Sequence, residues 1–298
     1  NDQNGATNFL LAHLNNDATP ATAITARLFL GTQVQCTQCH NHPFNNWQQQ
    51  QFHGLSAFFK STRSRPVRGT DAYALVSGPL EEHPFYEDRR GVLHMAPAGP
   101  GGQRVDLEGN EHPRGELARL MTGDSDPRLA RAMVNRTWAR LLGHGFTTPV
   151  DDMGPHNSPS HPEVLDRLSR EFVASGFDVK RLILWICSTR AYGLTSRMTA
   201  KNRVDHPETS GERLFSHVYT KPMSVEQLYD SLLVTTQVDR TTASDWESVA
   251  ANRRRWRSQF VYSFETDEND EVVTFDGTIT QAMMMMNGPL IREALSQQ

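Results

Sequence analysis

Two thiols and two imidazoles fall within the ten residues Gln35-Cys36-Thr37-Gln38-Cys39-His40-Asn41-His42-Pro43-Phe44, and only one other cysteine, Cys187, occurs in the chain. The spacing C-x-x-C-H is that of covalent haem attachment. Two thiols on one turn reach the two vinyl groups of a porphyrin, and the imidazole that follows takes the iron. On this reading Cys36 and Cys39 are thioether anchors and His40 is the proximal ligand of a haem c. Phe44 and Trp47 are the expected packing partners of the ring. No residue pattern marks the distal ligand; His42, His53, His94, Met95 and His156 are its candidates. With the sixth position open, the same site would suit peroxide reduction or the binding of a small gas.

Other chemistries begin the same way. Cys36, Cys39 and either His40 or His42 would give three ligands to zinc, but a closed structural zinc needs a fourth, and no second C-x-x-C or H-x-x-x-H follows. A redox dithiol of the thioredoxin kind follows a strand, whereas this pair follows a helical pattern.

The elements that must position these residues read as mostly α. Apolar residues recur at helical spacing over 21–34, behind a Thr-Pro start, so a helix is expected to deliver the cysteines. Pro43 interrupts it, and Asn45 or Asn46 is the expected cap of a second helix carrying Trp47, Phe52, Leu55, Phe58 and Phe59. Residues 61–113 are broken by proline and glycine; 73–76 and 92–95 read as two strands of one small ribbon, and 96–103 as a turn region. Residues 128–142 form an amphipathic helix ended by Gly143. Ser160 with Glu163, and Ser224 with Glu226-Gln227, read as boxes opening two more helices, and Asp178 caps another that buries Cys187. Thr278 or Thr280 starts a last helix through four consecutive methionines, 283–286, which look buried on several sides, and Asn287-Gly288-Pro289 ends it. Asp151 and Asp152 are adjacent and so point apart, which argues against a joint acid/base role.

Composition narrows the classes. The 298 residues, 37% hydrophobic, suffice for one large core or two modest ones. A net charge of −4 from 30 basic and 34 acidic residues predicts no nucleic-acid or anionic-membrane partner, and the basic cluster at 253–257 reads as a solvated helix face. The acidic stretch 265–271 lacks the ligand placement of an EF-hand and reads as a solvated turn. No apolar run is long enough for a bilayer. A start without methionine predicts a processed or truncated product, and covalent haem c, assembled outside the cytoplasm, predicts a periplasmic or secreted one.

Two blocks resemble a known family. Residues 25–31, the cysteine motif through Phe44, Trp47 and residues 54–59 are similar to the first of two paired domains of unknown function, fifteen-forty-nine and fifteen-fifty-three, of large secreted planctomycete cytochrome-like proteins. Residues 129–138, Ser160-His161-Pro162-Glu163, residues 172–177 and residues 286–289 resemble the second. The resemblance implies an exported protein, often encoded with a separate cytochrome c module and with sulfatase-rich polysaccharide-degrading systems, and it implies no reaction. It carries over Cys36, Cys39, His40 and His42-Pro43-Phe44 but no distal ligand. The usual preceding cytochrome module is missing from the chain, which implies a fragment or a compact relative.

The expected fold is therefore mostly α: a cytochrome c-like haem attachment segment on a helical bundle, with an irregular, short-stranded region between. The expected division is 1–60 haem-attachment helices, 61–113 loop-rich connector and 114–298 helical domain. The expected function is electron transfer by an exported single-haem protein, with an external redox partner or another copy of itself as the other party. A zinc-stabilised carbohydrate-associated or scaffolding module without redox activity is the alternative.

Overall fold

Proline and glycine punctuation sets the limits of the first helices. After a short α1 (Ala6–His13), α2 (Thr19–Leu30) opens with Pro20 in its first turn, where the missing N–H costs nothing, and closes at Gly31 with φ 64°, whose N–H caps Ala26. The helix expected to run to Val34 thus stops earlier, because the left-handed glycine breaks it. The cysteines ride a separate 3-10 turn, Gln35–Gln38. The computed structural model describes residues 5–78, 85–95, 99–103, 105–106, 112–123, 126–206, 213–221, 223–241, 245–264 and 278–296.

Helix α3 (Gln49–Ala57) is capped by Gln48, reciprocated by Gln51, and not by Asn45 or Asn46. Asn45 is buried and spends its Oδ1 on the Trp47 N–H at 2.8 Å, a local turn that competes with capping. Strand β1 (Thr62–Pro66) pairs antiparallel with β2 (Tyr73–Ser77), and β3 (Phe85–Glu87) with β4 (Leu93–Met95). The expected single ribbon of 73–76 with 92–95 is therefore two hairpins. Each strand closes on its nearest neighbour in sequence, which costs less loop entropy, and β1 is too polar to announce itself as a strand. Of the expected turn region, residues 96–98 lie outside the described residues.

Helices α4 (Pro113–Thr122), α5 (Arg128–Leu142), α6 (Pro162–Ala174) and α7 (Val179–Cys187) follow. Gly143 ends α5 in the left-handed region, and Asp178 caps α7 by accepting the Arg181 N–H at 3.0 Å, both as expected. Ser160 does not cap α6. His161 holds that position, and the Ser160 hydroxyl lies 3.0 Å from His161 Nδ1, since Pro162 moves the helix start one residue on. Cys187 is half-buried.

All of these belong to one compact unit, residues 1–219, with two apolar centres. The first gathers Leu30, Val34, Trp47, Phe52, Leu55, Phe58 and Phe59 against Leu117 and Met121 of α4. The second gathers Val134, Trp138 and Leu142 of α5 with Phe146, Leu165, Phe172, Leu182, Ile186 and Phe215.

Residues 220–298 form the other unit. Its helices are α8 (Val225–Thr236), α9 (Val238–Thr241), α10 (Trp246–Phe264), α11 (Ile279–Asn287) and α12 (Pro289–Ser296). Ser224 with Gln227, and Thr278 with Gln281, cap α8 and α11 reciprocally. Trp256, Phe260, Tyr229 and Leu290 fill its core. Two expectations fail here. The methionine helix is not covered on several sides, since Met283 and Met286 are exposed and only Met284 and Met285 pack inward. Pro289 also does not end the helical region, because it starts α12. Within the basic cluster, Arg253 is not simply solvated; its guanidinium grips the buried Asp239 at 2.5 Å. The acidic stretch 265–271 lies outside the described residues. Among the described residues no helix is long and apolar enough to cross a membrane.

Candidate functional site

Thr37 decides the shape of the cysteine turn. Fully buried between the two thiols, it sends both its N–H and its hydroxyl to the Val34 carbonyl, at 2.9 and 2.5 Å. Pinning the middle of the turn inward leaves Cys36 half-buried and Cys39 exposed, and neither sulfur is in a disulfide. Burial pushes the Cys36 thiol up from its ordinary value, and the nearby Asp152 charge pushes the same way against backbone hydrogen bonds that lower it.

The histidines that follow are set in different states by their neighbours. His40 Nδ1 lies 2.7 Å from the Asn41 carbonyl, which can only accept. Nδ1 therefore carries the proton, and Nε2 keeps a free lone pair. His42 is the reverse: its Nδ1 accepts the N–H groups of Phe44 and Asn45 at 3.2 and 3.0 Å, so its proton sits on Nε2. Burial holds the His42 imidazole below its ordinary pKa. The loop closes through His42 N–H to the Trp47 carbonyl at 2.8 Å and Asn41 Oδ1 to the Gln49 N–H at 3.0 Å. Of the two aromatics expected to face a ring, Phe44 is 73% exposed, while Trp47 is buried in the first apolar centre with the Arg128 guanidinium 5.9 Å from its ring.

A second loop, residues 151–157, is fastened to this one. The Met153 N–H donates to the Gly31 carbonyl at 2.7 Å. A side chain at Gly31 would strike the Met153 methyl, so glycine serves here both for its φ and for the close approach. Asp151 is buried between Arg27 of α2, at 3.0 Å, and Arg136 of α5, at 2.5 Å. Asp152 points elsewhere, its Oδ2 held 3.0 Å from His156 Nε2 while its Oδ1 is buried without a hydrogen-bond partner. The His156 ring stacks on His42 at 6.0 Å.

The remaining candidates lie in a different cluster. His53 of α3 donates from Nε2 to the Gln38 carbonyl at 3.2 Å, and burial lowers its pKa. Its ring lies flat on Tyr86 at 4.3 Å, and Tyr86 lies on His94 at 5.2 Å. His94 is not a solvated loop residue, since its Nε2 is 3.1 Å from Asp88. The side chain of Met95 lies outside the described residues. Among the described residues no three His, Cys, Asp or Glu side chains converge to hold a bare ion.

Reading the sequence located the cysteine turn but not its second loop. The Arg27–Asp151–Arg136 network and the Asp152–His156 pair come from tertiary contact; only the i,i+4 spacing of Asp152 and His156 was there to be noticed. Tyr86 carried no signal at all.

Comparison with known families supplies the frame. Residues 113–298 match the family model of PSD1, a protein of unknown function (DUF1553), and residues 1–64 match that of PSCyt2, a protein of unknown function (DUF1549). The chain belongs to the PSD1 family, with a PSCyt2 region before it. A search of curated proteins and a search of solved structures each find no match. The cysteine motif lies in the PSCyt2 region, and the loop at 151–157 that docks beside it lies in the PSD1 region. The hairpin carrying Tyr86 and His94 lies between the two matched regions. Residues 113–219 of the PSD1 region fold into the same compact unit as the PSCyt2 region.

The donor set suits a haem. The two thiols sit on one turn and are not joined to each other, and the next imidazole keeps a lone pair on Nε2. A metal-binding histidine characteristically donates its other ring N–H to a fixed acceptor, which is the part Asn41 plays for His40.

Proposed function

We propose that this protein is an exported electron-transfer protein carrying one covalent haem c, bound through Cys36 and Cys39 with His40 as proximal ligand. The observation that carries the reading is the state of His40: Nδ1 is committed to the Asn41 carbonyl, so Nε2 is the nitrogen offered to iron, at the position after the second thiol of a C-x-x-C turn. When bound, the haem supplies a one-electron iron couple. The chain's own residues do the rest. Thr37 holds the thiols on one turn, Asn41 fixes the His40 tautomer, and the exposure of Cys39 and His40 places the turn where a redox partner reaches it. The family name of the region bearing the motif, PSCyt2, is that of a cytochrome-like domain and supports the same reading.

The test is expression of the full chain in a host that exports it and matures haem c, followed by acid-acetone extraction and intact mass measurement. The expected result is a coloured protein that retains its Soret band and gains the mass of one haem. A colourless protein, or one that releases its pigment, refutes the reading.

A further inference from the structure

We propose that His156, contributed by the PSD1 region, is the second axial ligand of the haem iron; this rests on the haem reading above. A sixth ligand must offer a lone pair from a side chain the fold can bring to the cysteine turn, and the histidines differ sharply on that count. His42 offers none, because Nδ1 already accepts two backbone N–H groups and Nε2 carries the proton. Freeing it would dismantle the turn that follows His40. His53 and His94 are held in one stack with Tyr86, the first by the Gln38 carbonyl and the second by Asp88.

His156 is prepared in the way His40 is. Its Nε2 donates to the Asp152 carboxylate at 3.0 Å, which leaves the lone pair on Nδ1. The Nδ1–Cε1 edge is kept uncovered by Gly154: a Cβ there would lie 2.9 Å from both atoms, closer than real contacts allow, so any other residue would crowd the edge that has to bind. The ring rests on His42, two residues beyond His40, at 6.0 Å and 29°. The loop that carries it is anchored to the start of the motif segment by the Met153 to Gly31 hydrogen bond and the Asp151 to Arg27 ion pair. Both imidazoles thus have one nitrogen fixed by an acceptor and the other free, and they reach the turn from the two different family regions.

The experiment is electron paramagnetic resonance and absorption spectroscopy of the matured, haem-loaded full chain, with carbon monoxide binding to the ferrous form, for wild type, His156→Ala, Gly154→Ala and His94→Ala. Wild type is expected to be low-spin with two imidazole ligands and not to bind carbon monoxide. His156→Ala is expected to become high-spin and to bind carbon monoxide, and added imidazole to return it to low-spin, which a misfolded variant would not do. Gly154→Ala should shift partly the same way, and His94→Ala should match wild type. A wild type that is high-spin, or a His156→Ala variant still low-spin with wild-type spectra, overturns the assignment while leaving covalent haem intact. A protein with no covalent haem shows no spectrum to compare, and so fails the underlying reading in a way that is told apart from failure of the ligand.

Discussion

Asp151→Ala tests whether the loop at 151–157 is held by charge. The carboxylate is 2% exposed and neutralises Arg27, itself 5% exposed, while its second partner Arg136 is 32% exposed. Removing the carboxylate leaves Arg136 free to turn to water, but Arg27 stays buried with no counter-charge. Breaking a buried pair this way costs about 3–5 kcal/mol. With a urea dependence of about 3 kcal/mol per molar for a chain of this size, the unfolding midpoint should drop by roughly 1–1.5 M at unchanged slope. Two comparisons isolate the cause. Glu116→Ala breaks the pair with Arg119, whose side chain is 68% exposed, and should cost no more than about 1 kcal/mol. Adding Arg27→Met to Asp151→Ala removes the stranded charge and should restore a good part of the loss. A midpoint for Asp151→Ala within about 0.3 M of wild type, or equal losses for Asp151→Ala and Glu116→Ala, would refute the reasoning.

Three further outcomes are expected. Asp178→Ala removes the side-chain cap of α7 and should cost about 1 kcal/mol, read as a fall of a few degrees in melting temperature by differential scanning calorimetry. Trp256→Ala empties the centre of the second unit and should cost about 3–5 kcal/mol by urea denaturation, whereas Trp256→Phe should cost much less because it also deletes a buried indole N–H that has no partner. Asp205 concerns acid stability. Burial works to raise its carboxyl pKa, but the Tyr219 hydroxyl and the N–H groups of Leu214 and Ser216 outweigh burial and hold it below the ordinary value. As pH falls below about 4 the unfolded carboxylate takes up its proton first, so the stabilisation is whole above that pH and is lost as pH falls through the lower folded value. Asp205→Asn should therefore be less stable near neutrality and show a shallower acid decline in a pH series of urea midpoints.

Helices whose ends are written in local chemistry were legible in the sequence. Gly143, Asp178, Ser224 with Gln227, and Thr278 with Gln281 all act where their residue types predict, because a cap depends on neighbours three or four positions away. What depended on distant partners was not legible. Arg27 and Asp151 are 124 residues apart, and nothing near either one announces the other. The two hairpins were misread as one ribbon because β1 and β3 lack the alternation that marks a strand. Pro289 looked like a terminator and is an initiator, since the same ring that cannot continue one helix suits the first turn of the next. The cysteine turn was located by residue spacing, but its exposure, and the different tautomers of His40 and His42, came only from which carbonyls and N–H groups lie within reach.

The pair of arginines clasping Asp151 has a consequence for any attempt to mix and match relatives of this chain. Transplanting the segment that bears the thiols without the stretch that holds Asp151 would carry a bare guanidinium into an oily interior and strip the Gly31 carbonyl of its donor. A workable hybrid must therefore exchange both stretches together, and its cut points belong after residue 219 rather than at the seam where the two families meet.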